Sequence, residues 1–189
     1  MLDTIRQDVL GFWYGDPKDQ DYGQFRTWWF EKSDATDLQI VDRFKDLHTQ
    51  LMTGEHQDML ATPEGYMAQI LVLDQFSRNI YRDSPQAFAS DGKALALAKE
   101  AVAKGYDQKL PAFMRAFIYL PYEHSESLAD QEESVRLYEA LGQPGNLDYA
   151  IQHKVIIEKF GRYPHRNALL GRVSTPEEIK FLKQPGSGF

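Results

Sequence analysis

The sequence predicts an all-α protein of roughly eight helices packed as antiparallel pairs. Apolar residues recur at three- and four-residue spacing along almost the whole chain, and no alternating stretch with a hairpin turn competes with that pattern. Serine, threonine and proline open the periodic stretches and glycine closes them.

Ile5, Val9, Phe12 and Trp13 form the first stripe, which stops at Gly15 and Pro17. Asp34 caps a second helix with Leu38, Val41, Phe44, His48 and Leu51 inward and Gly54 just past its end. Thr62 and Pro63 place a cap ahead of a proline whose missing N–H would be idle anyway, opening a third helix through about Asn79. Ser84 and Pro85 repeat the device for a fourth helix, with Phe88, Asp91, Leu95, Ala98 and Val102 on one face before Gly105.

A fifth helix starts at Pro111 with Phe113, Met114 and Phe117, and Pro121 breaks or kinks it. A sixth, Ser127 to Leu141, turns Leu128, Val135, Tyr138 and Leu141 inward, and GQPGN then reads as a loop. Tyr149, His153, Ile156, Ile157 and Phe160 define a seventh, closed by Gly161, and Thr175, Pro176 and Glu178 spell a capping box for a short last helix. Thr62 to Gly105 and Pro111 to Leu141 read as helix hairpins of the tetratricopeptide type, without the strict repeat of about 34 residues that would prove one. One all-helical domain over residues 1 to 189 is expected.

Composition narrows the chemistry. Lys and Arg total 21 against 28 Asp and Glu, a net charge of -7, which argues against nucleic acid as a partner. The absence of Cys removes disulfides, thiolate nucleophiles and Cys-based zinc sites. No apolar run reaches the roughly 18 residues of a membrane span and the segment MLDTIRQDVLGFW is too polar for a signal peptide, so a cytoplasmic location with no membrane partner is expected. There is no phosphate loop, dinucleotide glycine pattern or GxSxG elbow, and no cofactor is expected.

The charge is unevenly spread. Residues 1 to 94 hold 16 acids and 9 bases, whereas residues 95 to 189 hold 12 of each. Within that neutral half, Pro121 to Glu133 carries five acids and no base, and Gly161 to Arg172 carries Arg162, Arg166 and Arg172 with no acid. If the two blocks meet, the acidic protein contains one locally cationic place.

Candidate functional residues are polar side chains at positions that periodicity assigns to the core. Asp91 lies on an apolar stripe and needs a partner, because an unpaired buried carboxylate costs several kcal/mol. Asp74 comes after Met67, Ile70 and Leu71, with Arg78 one turn on, and the segment LDQFSRNIYR adds Asn79 and Arg82. His153 sits on its own apolar stripe. In FGRYPHRN, Pro164 at a first helical position would leave His165, Arg166 and Asn167 around free backbone N–H groups, an anion-binding arrangement with Arg162 beside it. In PYEHSE the proline places Glu123, His124 and Glu126 at a bend facing a cleft, where a histidine beside a carboxylate would be an oriented general base. The spacings of 29 and 12 residues between His124, His153 and His165 match no local metal signature, and no metal is expected. For each group the plain alternative is a structural ion pair or a satisfied core residue.

The blocks LDQFSRNIYR, LPYEHSE and FGRYPHRN, with the early GFWYG and the late LGR and STPEE, resemble the bacterial family known as domain of unknown function 924. The resemblance runs from about Val9 to Phe189. It implies an all-helical fold similar to tetratricopeptide repeats and no settled activity, so no catalytic residue is inherited from it. Ser77 stands where the family often has proline, and Tyr122 and Tyr163 stand where an aliphatic residue and phenylalanine are common.

These residues support two functional expectations. The first is a pocket for a small anionic molecule, with Asp74, Arg78, Asn79, Arg82, Arg162, Arg166 and Asn167 binding and Glu123, His124, His153 and His165 moving protons in hydrolytic or transfer chemistry. The second is a tetratricopeptide-like module that grips a peptide or protein, for which GFWYG and TWWF would have to form an exposed aromatic groove.

Overall fold

The computed structural model describes residues 2 to 188 and is helical throughout, with no strand among the described residues. The α-helices in chain order are α1 (Leu2–Tyr14), α2 (Asp34–Thr53), α3 (Pro63–Ile70), α4 (Ser77–Ile80), α5 (Asp91–Ala103), α6 (Ala112–Glu123), α7 (Leu128–Leu141), α8 (Pro144–Phe160) and α9 (Pro176–Phe181). α3 and α4 are two parts of one rod, joined by a π-helical segment over Leu71–Phe76, so the architecture is the expected all-α one. None of these helices is long and apolar enough to cross a membrane.

The rod is central. Every residue from Gly65 to Ser77 is buried, as expected of a helix hydrophobic nearly all round. It is sheathed by α1, α2, α5 and α6, while α6, α7 and α8 pack each against the next. Its polar residues must therefore find partners inside the protein. Gln69 donates to the His56 carbonyl at 2.8 Å and Ser77 to the Ala87 carbonyl at 3.0 Å.

The main core gathers side chains of α1, α2, the rod, α5, α6 and α7, and a smaller cluster forms around Ile156, Ile157 and Tyr163 with Phe160 and Phe181 against it. Trp13 and Trp29 stack at 5.7 Å inside the main core, and the Trp29 indole donates to the Trp13 carbonyl at 3.1 Å. Burial of these rings takes them out of the exposed groove expected of GFWYG and TWWF, whose Phe30 stays largely exposed with Phe25 stacked on it.

Several boundaries differ from expectation for local reasons. Ser33 rather than Asp34 caps α2, accepting the Thr36 N–H, and the buried line of that helix runs through Ile40, Phe44 and Leu47 while Leu38 faces solvent. Ser84 and Pro85 open only a 3-10 turn, Pro85–Phe88, and α5 begins at Asp91. GQPGN is not a loop: Pro144 occupies the first turn of α8, where its missing N–H is harmless, so only Gly142 and Gln143 separate α7 from α8. Leu128 and Tyr149, expected inward, are exposed. Pro121 does not end α6, which continues to Glu123 because the proline falls in its last turn.

Gly65 tests the packing of the rod against the preceding turn. A Cβ there would lie 1.8 Å from the Met59 carbonyl oxygen, a backbone atom. Helix propensity favours Gly65→Ala by ~1 kcal/mol, and the clash opposes it by about 3 kcal/mol. The net loss of about 2 kcal/mol is expected to lower Tm by roughly 4–8 °C, measured by calorimetry. An unchanged or raised Tm would refute this packing.

Candidate functional site

The site begins with Asp74, wholly buried within the π segment. A π turn inserts one residue into the helix and rotates the rest of the helix by about 100°, and such insertions recur at functional sites. Asp74 Oδ1 accepts from His124 Nδ1 at 2.7 Å and lies 3.4 Å from Arg78 Nη1, while Oδ2 accepts from Gln75 at 2.6 Å. Burial by itself would raise this carboxyl, but His124, which hydrogen-bonds it, and the Arg78 guanidinium hold it well below the usual carboxylate range. Because an ionised carboxylate only accepts, His124 must carry its proton on Nδ1. Burial and the nearby Arg78 push the imidazole itself down while Asp74 opposes them, and in the neutral ring it is Nε2 that keeps the lone pair.

Arg78 extends the network to α5. Its Nη1 and Nη2 reach the two oxygens of Asp91 at 3.0 and 3.2 Å. Asp91 thus finds the partner its place on the stripe requires. The same carboxylate is shared: Arg166 Nη1 lies 3.4 Å from Asp91 Oδ2 and donates to the His124 carbonyl at 3.0 Å. Arg166 is only 7% exposed, its guanidinium sits 4.8 Å over Phe88 and 4.6 Å over Tyr163, and its Nε has no hydrogen-bond partner. Asp91 therefore serves two guanidinium groups, that of the buried Arg166 and that of the half-buried Arg78.

The acid-only and Arg-only blocks meet here. Arg172 binds Glu126 through two nitrogens at 2.7 and 3.0 Å, and Glu126 also accepts the Tyr163 N–H at 2.8 Å. The Tyr163 hydroxyl donates to the Glu123 carbonyl, and Gln131 donates to that same carbonyl at 2.7 Å. Glu123 faces inward with its Oε2 3.5 Å from His153 Nδ1, which also contacts the Tyr149 carbonyl at 2.8 Å. Burial pushes the Glu123 carboxyl up to about 8 and His153 down to about 3. Burial together with Arg166 lowers His165 to about 4. The rings of His124 and His153 are 6.4 Å apart, and those of Tyr163 and His165 are 5.5 Å apart.

An open cleft of about 350 Å³ borders this network, lined on its polar side by Asp91, His124, Ser125, Glu126 and Arg166 and on its apolar side by residues including Phe88, Leu95 and Leu170. His124 Nε2 makes no hydrogen bond among the described residues. Of the predicted site residues, Asp74, Arg78, Glu123, His124, His153, His165 and Arg166 come together. Asn79 and Arg82 do not join them, because both are engaged by Asp37 of α2, with Asn79 at 2.8 Å. Arg162 and Asn167 are likewise held by Glu178 of α9, at 2.6 and 3.2 Å. The free helix terminus expected at Pro164 is also absent: Pro164–Arg166 is a single 3-10 turn whose amides are used, Arg166 N–H by the Tyr163 carbonyl and Asn167 N–H by that of Pro164. Sequence reasoning assigned no site role to Phe88 or Gln131, whose neutral or apolar side chains raise no alarm on a stripe, whereas the ring of Tyr163 was expected to wall a cleft. No group of three or more His, Asp or Glu that could hold a metal occurs among the described residues.

The sequence matches the family described as bacterial protein of unknown function (DUF924) over residues 9–186. The chain belongs to the DUF924 family. A solved structure of a protein of unknown function from Agrobacterium tumefaciens is similar to this DUF924 chain, with 36% sequence identity, a TM-score of 0.87, and coverage of 97% of this chain and 99% of the other. No curated protein matches it.

The buried titratable groups of this DUF924 protein set its stability against pH. His153 and His165 have depressed folded-state pKa values, so their contribution is present above their ordinary value of 6.5 and is lost as pH falls toward about 3 and about 4 respectively. Glu123 has a raised value, so its contribution is full below its ordinary 4.5 and is lost as pH rises through about 8. Two histidines outweigh one glutamate on the acid side, and Glu123 acts alone between 6.5 and 8. Tm is therefore expected to peak near pH 6.5, and Glu123→Gln to flatten the alkaline limb while leaving the acid limb in place. A Glu123→Gln profile that still falls between pH 6.5 and 8 would contradict this assignment.

Proposed function

We propose that the cleft between α5, the end of α6 and the Pro164–Arg166 turn binds a small anionic molecule, with Arg166 holding the anion and His124 acting as general base in a hydrolytic or transfer step. Arg166 carries the reading. It is a buried guanidinium at the cleft wall that shares its only carboxylate with Arg78 and has an unpartnered Nε. Desolvating a cation without a full counter-charge is expensive, and an arriving anion repays that cost. His124 supports the chemical part, since it lines the cleft and Asp74 holds its Nδ1, which leaves Nε2 of the neutral ring as the proton acceptor.

The tetratricopeptide-like peptide-binding alternative has lost the aromatic groove that motivated it, because Trp13 and Trp29 are buried. We also read the protein as cytoplasmic, without nucleic acid or membrane partners, on its acidic charge and lack of Cys.

The test is a panel of small carboxylates, phosphate and sulfate, titrated while the imidazole signal of His124 is monitored by NMR. At least one anion is expected to shift that signal saturably. Arg166→Lys, which keeps the charge but loses the planar fork, is expected to weaken binding about tenfold with helicity by circular dichroism unchanged. If no anion moves the signal at millimolar concentration, the cluster is an ionic lock between helix ends and the proposal fails.

A further inference from the structure

If the cleft is an anion site, as proposed above, its chemistry also narrows the ligand class. Two carboxylates line the cleft, Asp91 and Glu126, and both are held in ion pairs, Asp91 with Arg78 at 3.0 Å and Glu126 with Arg172 at 2.7 Å. Arg166 is the guanidinium that lines the cleft beside them; neither Arg78 nor Arg172 does. The second charge of a dianion would find no second guanidinium on the wall and would lie beside two carboxylates whose ion-pair partners stand off it, in partly desolvated surroundings where like charges repel strongly. A monoanion asks for one guanidinium edge.

A second polar feature on the wall is an acceptor. Asp74 accepts the Nδ1 N–H of His124 at 2.7 Å, so Nε2 of the neutral ring presents a lone pair and calls for a hydroxyl donor. The remaining wall is apolar, with Phe88, Leu95, Pro121 and Leu170, and the volume of about 350 Å³ lies at the small end of ligand pockets. We infer that the cleft takes a hydroxy-substituted monocarboxylic acid with a short apolar or aromatic body: carboxylate on Arg166, hydroxyl donating to His124 Nε2, apolar group against Phe88 and Leu95. The phenyl-sized wall and the carboxylate site face one cleft, so a single small molecule reaches both.

Isothermal titration at pH 8 with mandelate, phenylacetate and phenyl phosphate separates these features, because the three share an aromatic body. Mandelate is expected to bind most tightly. Phenylacetate, which lacks the hydroxyl, is expected to bind at least about fivefold more weakly, and phenyl phosphate, a dianion at this pH, at least about tenfold more weakly. Phenyl phosphate binding as tightly as mandelate overturns the monoanion assignment, and phenylacetate doing so overturns the hydroxyl assignment. Neither result touches the anion site itself. If mandelate and phenylacetate both fail while phosphate, sulfate or acetate still binds through Arg166, this inference alone is wrong. If nothing binds, the site reading falls with it.

Discussion

Asp74 sits in a stretch of helix whose every neighbour is buried, where an uncompensated carboxylate would cost several kcal/mol. Compensation has to come from outside the rod as well as from it. Arg78, one turn on, supplies a charge at 3.4 Å, and His124 supplies a proton at 2.7 Å from the end of α6. Arg78 is then drawn to Asp91 at the start of α5, and Asp91 draws Arg166 from beyond α8. One buried charge in the middle of the fold thus fixes how four separate chain segments meet.

The ion pairs of the molecule differ in how fully they are closed. Arg82 with Asp37 and Arg162 with Glu178 each match one guanidinium to one carboxylate through two nitrogens. Their geometry satisfies both partners, and their effect is to fasten α4 to α2 and α9 to the turn after α8. The Arg78, Asp91 and Arg166 group is different in kind, since Asp91 is shared by two cations, of which Arg78 also lies 3.4 Å from Asp74 and Arg166 is held by Asp91 alone at 3.4 Å. Apolar side chains of similar size would often stabilise a protein as well as or better than such a group. Such a group is weak evidence for a purely stabilising role.

Much of this was legible in the residues. Asp74, Asp91 and His153 each interrupt an apolar stripe, and the structure finds each in the buried network. The opposed acid and Arg blocks do meet, through Arg172 with Glu126. What could not be read was who pairs with whom across the chain. Asn79 and Arg82 look like neighbours of Arg78 along the sequence, yet Asp37 captures them from more than 40 positions away. The π insertion was equally hidden, since a change of helical register leaves the apolar content of LVLDQF unaltered. Pro121 misled in the other direction, because a proline in the last turn of a helix removes a donor without stopping the chain.

The irregular segments and the site coincide for a backbone reason. A regular helix consumes its own carbonyls, whereas a π turn, a proline-disturbed last turn and a short 3-10 turn release some of them. Those released here accept side chains arriving from other elements: the Leu73 carbonyl takes the Ser90 hydroxyl, the Glu123 carbonyl takes Gln131 and Tyr163, and the His124 carbonyl takes Arg166. The same bonds that settle the backbone therefore aim the side chains. His124 ends α6 with its ring on Asp74 and its carbonyl under Arg166, so imidazole and guanidinium are placed by one residue at one cleft wall. The net charge of -7 describes the surface at large, and it averages away the place where an acidic protein gathers the half-buried Arg78 and the buried Arg166 around Asp91.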